Sequence, residues 1–129
     1  QVTDAGLTAL RDLKTLKQLN VMGTGIGDAG LQEIARHHDL ESLGLGGTKV
    51  TDAGIRELRS LPKLQSLNLA STNVTDMCLE EFGEFPALQE LVLRRALVTN
   101  EGVQRLQRAL PNLKIIHESL PQNVESNIY

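Results

Sequence analysis

The sequence predicts an α/β solenoid, a stack of short repeats with parallel strands on the concave side and short helices on the convex side. Three observations carry that expectation. A six-residue phrase recurs along the chain, as Val2-Thr3-Asp4-Ala5-Gly6-Leu7, Ile26-Gly27-Asp28-Ala29-Gly30-Leu31 and Val50-Thr51-Asp52-Ala53-Gly54-Ile55. It returns as Val74-Thr75-Asp76-Met77-Cys78-Leu79 and Val98-Thr99-Asn100-Glu101-Gly102-Val103. The copies begin at residues 2, 26, 50, 74 and 98, a period of 24 without slippage, and self-similarity at such a period signals a repeat architecture. Within each period the apolar spacing switches from a helical stripe to alternation.

The first repeat sets the elements. Leu7, Leu10 and Leu13 are spaced as the inward stripe of a short helix, and Leu16-Lys17-Gln18-Leu19-Asn20-Val21 alternates as a strand with Leu19 and Val21 facing in. The strand signal recurs as Leu40-x-x-Leu43-x-Leu45, Leu64-x-x-Leu67-x-Leu69 and Leu88-x-x-Leu91-x-Leu93. Thr3, Thr51, Thr75 and Thr99 are expected as helix N-caps, with Asp4, Asp52 and Asp76 placing negative charge in the first turn. Gly27 replaces the threonine in the second copy, which leaves Asp28 as the expected cap there. Glycine inside a helix costs up to about 1 kcal/mol relative to alanine. The column Gly6, Gly30, Gly54 and Gly102 therefore predicts a close approach to the neighbouring repeat, with Cys78 as its one exception.

The fifth repeat departs from the others, because Leu58-x-x-Leu61 becomes Leu106-x-x-x-Leu110. Carried forward, the extra residue puts Glu118 where Leu93 stood and Pro121 where Thr24 stood. The apolar pattern stops there. The expected organisation is one domain over residues 1–120, followed by a tail or cap over 121–129 in which Val124, Ile128 and Tyr129 are the apolar residues available to fold over the end. Gln1 is not a methionine and falls at a repeat boundary, and Leu7, Leu10 and Leu19 have no polar cap before them. Further repeats, another domain or a partner are expected upstream, and the chain is expected to be monomeric unless that uncapped end pairs with another chain.

Composition agrees. The chain of 129 residues suits one domain with a sizeable core. Its apolar content is nearly all leucine, valine and isoleucine, with no tryptophan, one tyrosine and two phenylalanines, as a core of self-matching layers requires. A net charge of −3 leaves no electrostatic footprint for nucleic acid or an anionic membrane. No apolar run approaches the ~20 residues of a membrane-spanning helix. The lone Cys78 excludes an internal disulfide framework and leans towards a reducing, cytoplasmic setting, localisation being otherwise open.

The strand motif with its following turn resembles the leucine-rich repeat, whose pattern is L-x-x-L-x-L-x-x-N/C-x-L. The resemblance covers residues 2 to about 118. It is similar in particular to the helix-bearing type of F-box-associated proteins (the cysteine-containing, ribonuclease-inhibitor-like kind) and their bacterial relatives, in which V/I-T-D-x-G-L opens the helix. The Asn/Cys position is filled here by Thr24, Thr48 and Thr72, whose hydroxyls can bond the turn backbone, and by Ala96, which cannot and predicts a looser turn. The resemblance implies a right-handed horseshoe segment acting as a protein-binding module, with no catalysis and no cofactor of its own. An architectural spacer for an adjoining domain, or a substrate adaptor of F-box type, are the alternative functions.

A parallel stack sorts outward strand residues into columns about 4.8 Å apart. The expected columns are Gln18, Ser42, Ser66, Glu90, Ile115; then Asn20, Gly44, Asn68, Val92, His117; then Met22, Gly46, Ala70, Arg94, Ser119. The first three repeats are small and polar, whereas Glu90, Arg94 and His117 are expected to form one charged cluster. Candidate partner-binding residues are Gln18, Asn20, Met22, Ser42, Ser66, Asn68, Glu90, Val92, Arg94 and His117. The cluster serves either as a recognition patch for an unidentified protein partner or as a solvated end of the sheet. On the helix side, Asp12/Arg36, Arg56/Glu80, Glu81/Arg105 and Glu84/Arg108 are expected as exposed inter-repeat pairs, in preference to an acidic docking site at Glu80, Glu81 and Glu84.

Catalysis finds little support. Cys78 and His37 or His38 lie two repeats apart, roughly 10 Å by strand spacing alone, and Cys78 belongs to the glycine packing column. His37 stands where Leu13, Leu61 and Phe85 stand, either as a hydrogen-bonded core histidine or at a frayed helix end. Three histidines in the chain supply no convergent metal ligands. Gly44, Gly46 and Gly47 precede no phosphate-binding G-K-[ST].

Overall fold

A computed structural model describes residues 15–117. The expected first helix, with Thr3, Asp4, Gly6, Leu7, Leu10 and Leu13, and the chain from Glu118 onward lie outside the described residues. Five strands, β1 (Gln18–Asn20), β2 (Ser42–Gly44), β3 (Ser66–Asn68), β4 (Glu90–Val92) and β5 (Lys114–Ile116), form one parallel sheet in sequence order. Every pairing joins residues 24 apart, as in Gln18↔Ser42, Ser66↔Glu90 and Glu90↔Lys114. The middle residue of each strand faces the helices, and Leu43, Leu67 and Leu91 are buried there. Behind the sheet the leucines, isoleucines and valines of the repeats form one continuous core.

The helical segments follow the leucine spacing. Helix α1 covers Asp28–Ile34, and α2 (Asp52–Ile55) tightens into a 3₁₀ helix over Arg56–Ser60. The fourth repeat is 3₁₀ throughout Asp76–Glu84, and α3 (Asn100–Ala109) is fully α. A 3₁₀ helix has three residues per turn, the step separating Ile55, Leu58 and Leu61 and then Leu79, Phe82 and Phe85. The four-residue step from Leu106 to Leu110 suits the wider α turn instead.

That step corrects the expected register of the last repeat. The extra residue lengthens the helix, and the connection to the strand shortens by one, from Leu64-x-x-Leu67 to Leu113-x-Ile115. The Gln107 amide secures the compressed turn by donating to the carbonyls of Leu110 (3.1 Å) and Leu113 (2.8 Å). The period of 24 is therefore preserved. Lys114, not Ile115, pairs with Glu90, and Ile116, not His117, pairs with Val92.

Each strand leads into a stereotyped turn. The hydroxyls of Thr24, Thr48 and Thr72 donate to the carbonyls of Val21, Leu45 and Leu69 at 2.7, 2.6 and 2.7 Å. Ala96 keeps only a backbone bond to Leu93, at 3.1 Å. The residue before each is left-handed: Gly23 and Gly47 (φ 73° and 71°), but also Ser71 and Arg95 (φ 58° and 59°). Gly23, Gly47 and Ser71 donate their N–H groups to the carbonyls of Gly46, Ala70 and Arg94, so the turns stack as the strands do.

The helix starts hold the repeats together. Asp28 accepts both the backbone N–H (2.8 Å) and the hydroxyl (2.5 Å) of Thr51 in the next repeat. Asp52 does the same for Thr75, and Asp76 for Thr99. The aspartates thus act across the repeat boundary in addition to lying in the first turn. Gly27, not Asp28, is the N-cap of α1, and Thr51 makes no side-chain cap bond within its own helix. Thr75 and Thr99 do cap, accepting from Met77 N (3.2 Å) and Gly102 N (3.0 Å).

The clamp also explains the glycine column. A Cβ on Gly102 would lie 2.6 Å from Cγ of Asp76, and one on Gly54 would overlap the Asp28 carboxylate. Burial then ranks the clamps, because the Asp52–Thr75 bonds are half-buried and the Asp76–Thr99 bonds are exposed. Asp52→Ala is expected to lower unfolding free energy by roughly 2–3 kcal/mol, since a charge-assisted acceptor is lost, and Asp76→Ala by less. Gly102→Ala is expected to cost about 1–3 kcal/mol through the forced shift of Asp76. Urea denaturation of the three variants checks the ranking.

Candidate functional site

The outward residues of the strands line a shallow groove of about 540 Å³ bounded by Gln18, Asn20, Met22, Ser42, Ser66, Asn68, Glu90 and Val92. Eight of the ten residues singled out from the sequence therefore share one surface. At the second repeat Gly44 and Gly46 have no side chains, and neighbouring side chains fill the space above them. A Cβ at Gly44 would lie 2.9 Å from Oδ1 of Asn20. The Met22 side chain lies across both glycines, its Cγ 3.3 Å from a Cβ at Gly44 and its Cε 3.0 Å from one at Gly46. Asn20 and Asn68 turn their carbonyl oxygens to their own chains, accepting from Met22 N (3.1 Å) and Ala70 N (2.9 Å). Their amide donors and the half-buried Ser42 and Ser66 supply the remaining polar character.

The C-terminal half is charged, but not as the sequence suggested. Glu90 pairs with Lys114 across β4 and β5 (3.7 Å), a partner the shifted register had hidden. Ile116 continues the column of Asn68 and Val92. His117 takes the register position of the buried Leu93, on the inward side, and is half-buried. It is therefore corrected from a concave-face residue to an inward one, and the expected Glu90–Arg94–His117 cluster gives way to a Glu90–Lys114 pair. Arg94 and Arg95 are both exposed, and among the described residues neither enters an ion pair. Ser119 lies outside the described residues. Counting 24 from Glu90 gives Lys114 directly; the displaced Leu110 and Leu113 obscured it.

This geometry has known counterparts. A family model described as a leucine-rich repeat matches residues 12–35 and 60–77. The actin-binding site 2 segment of leiomodin-1 is similar in structure at TM-score 0.69 and 15% identity, covering 94% of this chain and 83% of that one. A leucine-rich-repeat protein of Leptospira interrogans is similar at TM-score 0.56 and 24% identity, over 82% of this chain and 32% of that one. The chain has the fold of a leucine-rich-repeat solenoid. An internalin of Listeria monocytogenes is also similar, at TM-score 0.50 and 16% identity, covering 88% of this chain and 46% of that one. The solenoid thus spans about a third of the Leptospira protein and under half of the internalin. No curated protein matches it in sequence.

On the convex side the solenoid carries inter-repeat ion pairs, with partners that differ from those expected. Arg56 (3.4 Å) and Arg59 (3.1 Å) both approach Glu81, so Arg56 is matched with Glu81 rather than Glu80. Among the described residues, no ion pair joins Glu81 to Arg105 or Glu84 to Arg108. Lys63 and Asp39, one period apart, meet at 2.9 Å, and their hydrogen bond holds the Asp39 carboxyl below its ordinary value. A groove of about 450 Å³ runs between the last two helical segments, with Leu79, Leu106 and Ala109 along it and Met77 exposed at its rim.

His37 is buried at the position of Leu61 and Phe85 in the stack, a core histidine rather than a frayed end. Cys78 is buried in the glycine column against the Asp52 clamp. Burial raises its thiol well above the ordinary range, and the nearby carboxylate of Asp52 pushes in the same direction, so the thiolate needed for nucleophilic chemistry is disfavoured. A pKa raised on folding gives stability that is present below the unfolded value near 8.5 and is lost as pH rises above it. Wild type is therefore expected to lose up to about 1.4 kcal/mol per pH unit relative to Cys78→Ala between pH 9 and 10. Paired denaturant titrations at pH 7 to 10 check this, and parallel curves for the two proteins refute it.

Proposed function

We propose that the solenoid is a protein-binding module that receives a polypeptide on its concave face, without chemistry of its own. The observation that carries this reading is the groove itself. Small side chains line a shallow trough, the two glycines let the Asn20 and Met22 side chains lie flat across it, and the Asn68 amide donates to the Met22 sulfur (4.0 Å), which leaves a low surface open to an extended chain. The leiomodin-1 segment of similar shape is an actin-binding site, which supports protein recognition as a use of this architecture; no particular partner follows from it. The V/I-T-D-x-G-L helix start, with its threonine–aspartate clamp, supports the helix-bearing subtype of repeat. Residues Gln18, Ser42, Ser66, Glu90 and Arg94 form the contact surface in this reading. His117, on the inward side, is not part of that surface.

The test selects peptides from a random display library on the immobilised solenoid, then measures their affinity for variants. Ser42→Trp and Ser66→Trp each raise a bulky neutral ring from the groove floor, while Glu57→Arg alters the convex side. Selected peptides are expected to lose about tenfold or more in affinity on the concave variants, about 1.4 kcal/mol, and to be indifferent to Glu57→Arg. Equal losses on all three, or failure to recover any peptide, would count against concave recognition. They would favour a spacer, whose activity depends on the number of repeats rather than on this face.

A further inference from the structure

We infer that the partner segment is an acidic, extended peptide, with an apolar residue over the Met22–Ala70 floor and a carboxylate about three positions away at Arg94 and Arg95. This rests on the concave-face reading and specifies its ligand. Met22 is 45% exposed and lies over Gly44 and Gly46, with the Ala70 carbonyl 3.2 Å from a Cβ at Gly46. A half-exposed thioether over two glycines, its sulfur accepting from the Asn68 amide (4.0 Å), makes an adaptable seat for an apolar side chain within an otherwise polar trough. Gly46 and Arg94 are two strands apart in the same column. Two strand spacings of about 4.8 Å match roughly three residues of extended chain at about 3.3 Å each.

The charge argument is independent of that seat. Lys114 is engaged by Glu90, whereas Arg94 and Arg95 are exposed and form no ion pair among the described residues. Arg95 also occupies the left-handed turn position that Gly23 and Gly47 fill, with φ of 59°. An L residue with a long side chain is disfavoured there. The strained position carries a second exposed arginine next to Arg94 in the chain, and planar guanidinium groups suit carboxylates. The chain's net charge of −3 and the neighbouring Glu90 argue against a long polyanion such as nucleic acid.

The experiment uses two randomised peptide libraries that share a fixed valine and differ three residues later, where one carries glutamate and the other glutamine. On the wild-type chain the glutamate library is expected to enrich about tenfold over the glutamine library. The ratio should fall towards one in Arg94→Ala and below one in Arg94→Glu. Arg95→Gly should reduce the ratio while leaving Tm unchanged or higher, a combination that a purely structural arginine would not produce. Equal enrichment of both libraries, still abolished by Ser66→Trp, overturns the acidic specificity and leaves the concave site standing. No enrichment of either library removes the concave site itself. A short single-stranded oligonucleotide bound as tightly as the glutamate peptides overturns the peptide assignment.

Discussion

One carboxylate per repeat fixes how this solenoid stacks. Asp28, Asp52 and Asp76 each accept two bonds from the threonine that begins the next helical segment. The threonine backbone N–H at a helix start has no partner within its own helix, so the preceding repeat satisfies it. Both side chains must then lie in the narrow gap between neighbouring helical segments. The gap leaves no room for a Cβ three residues beyond the clamped threonine, which is why glycine sits at 54 and 102 despite its low helix propensity. In the fourth repeat Cys78 fills that position. Its thiol is buried against Asp52, in a repeat that is 3₁₀ from end to end.

The sheet side is governed by a different constraint. Strands of three residues in parallel register fix the spacing of every outward side chain, and the middle residue of each is committed to the core. The turns extend the register, with Gly23, Gly47 and Ser71 each bonding to the repeat ahead. Outward positions are thereby held on a rigid lattice while their chemistry is free to vary. The small polar trough and the charged end are two uses of one frame.

The architecture was legible because it is written as repetition, and a period of 24 survives any uncertainty about a single residue. The strand positions of Leu43, Leu67 and Leu91, the threonine turn bonds and the crowding at the glycine column all followed from it. Most of the groove followed too, since parity decides which strand residues face outward. What could not be seen was any interaction that acts between repeats through side-chain reach. The aspartates looked like first-turn charges because local propensity and inter-repeat bonding favour the same residue. Arg56 meets Glu81 because the third and fourth helical segments are tighter than ideal α, which rotates the outward positions. In the fifth repeat the leucine shift was real, but Gln107 and a shorter connection absorbed it before the strand. The error at His117 came from extending a local insertion into a global one.

The two sides of the layer can therefore change separately. In a stack where each repeat touches mainly its neighbours, stability is close to a sum of repeat and interface contributions. The clamps, the glycine column and Cys78 lie at the helical side, whereas Met22, Ser66 and Arg94 lie at or beyond the outer face of the strands. Nothing in the clamp depends on which side chain projects from the strand, and nothing in the groove alters the gap between helical segments. Arg95 sits between these regimes. The turn dictates its left-handed backbone while its side chain is exposed, so an arginine stands where the frame alone prefers the glycine found at 23 and 47.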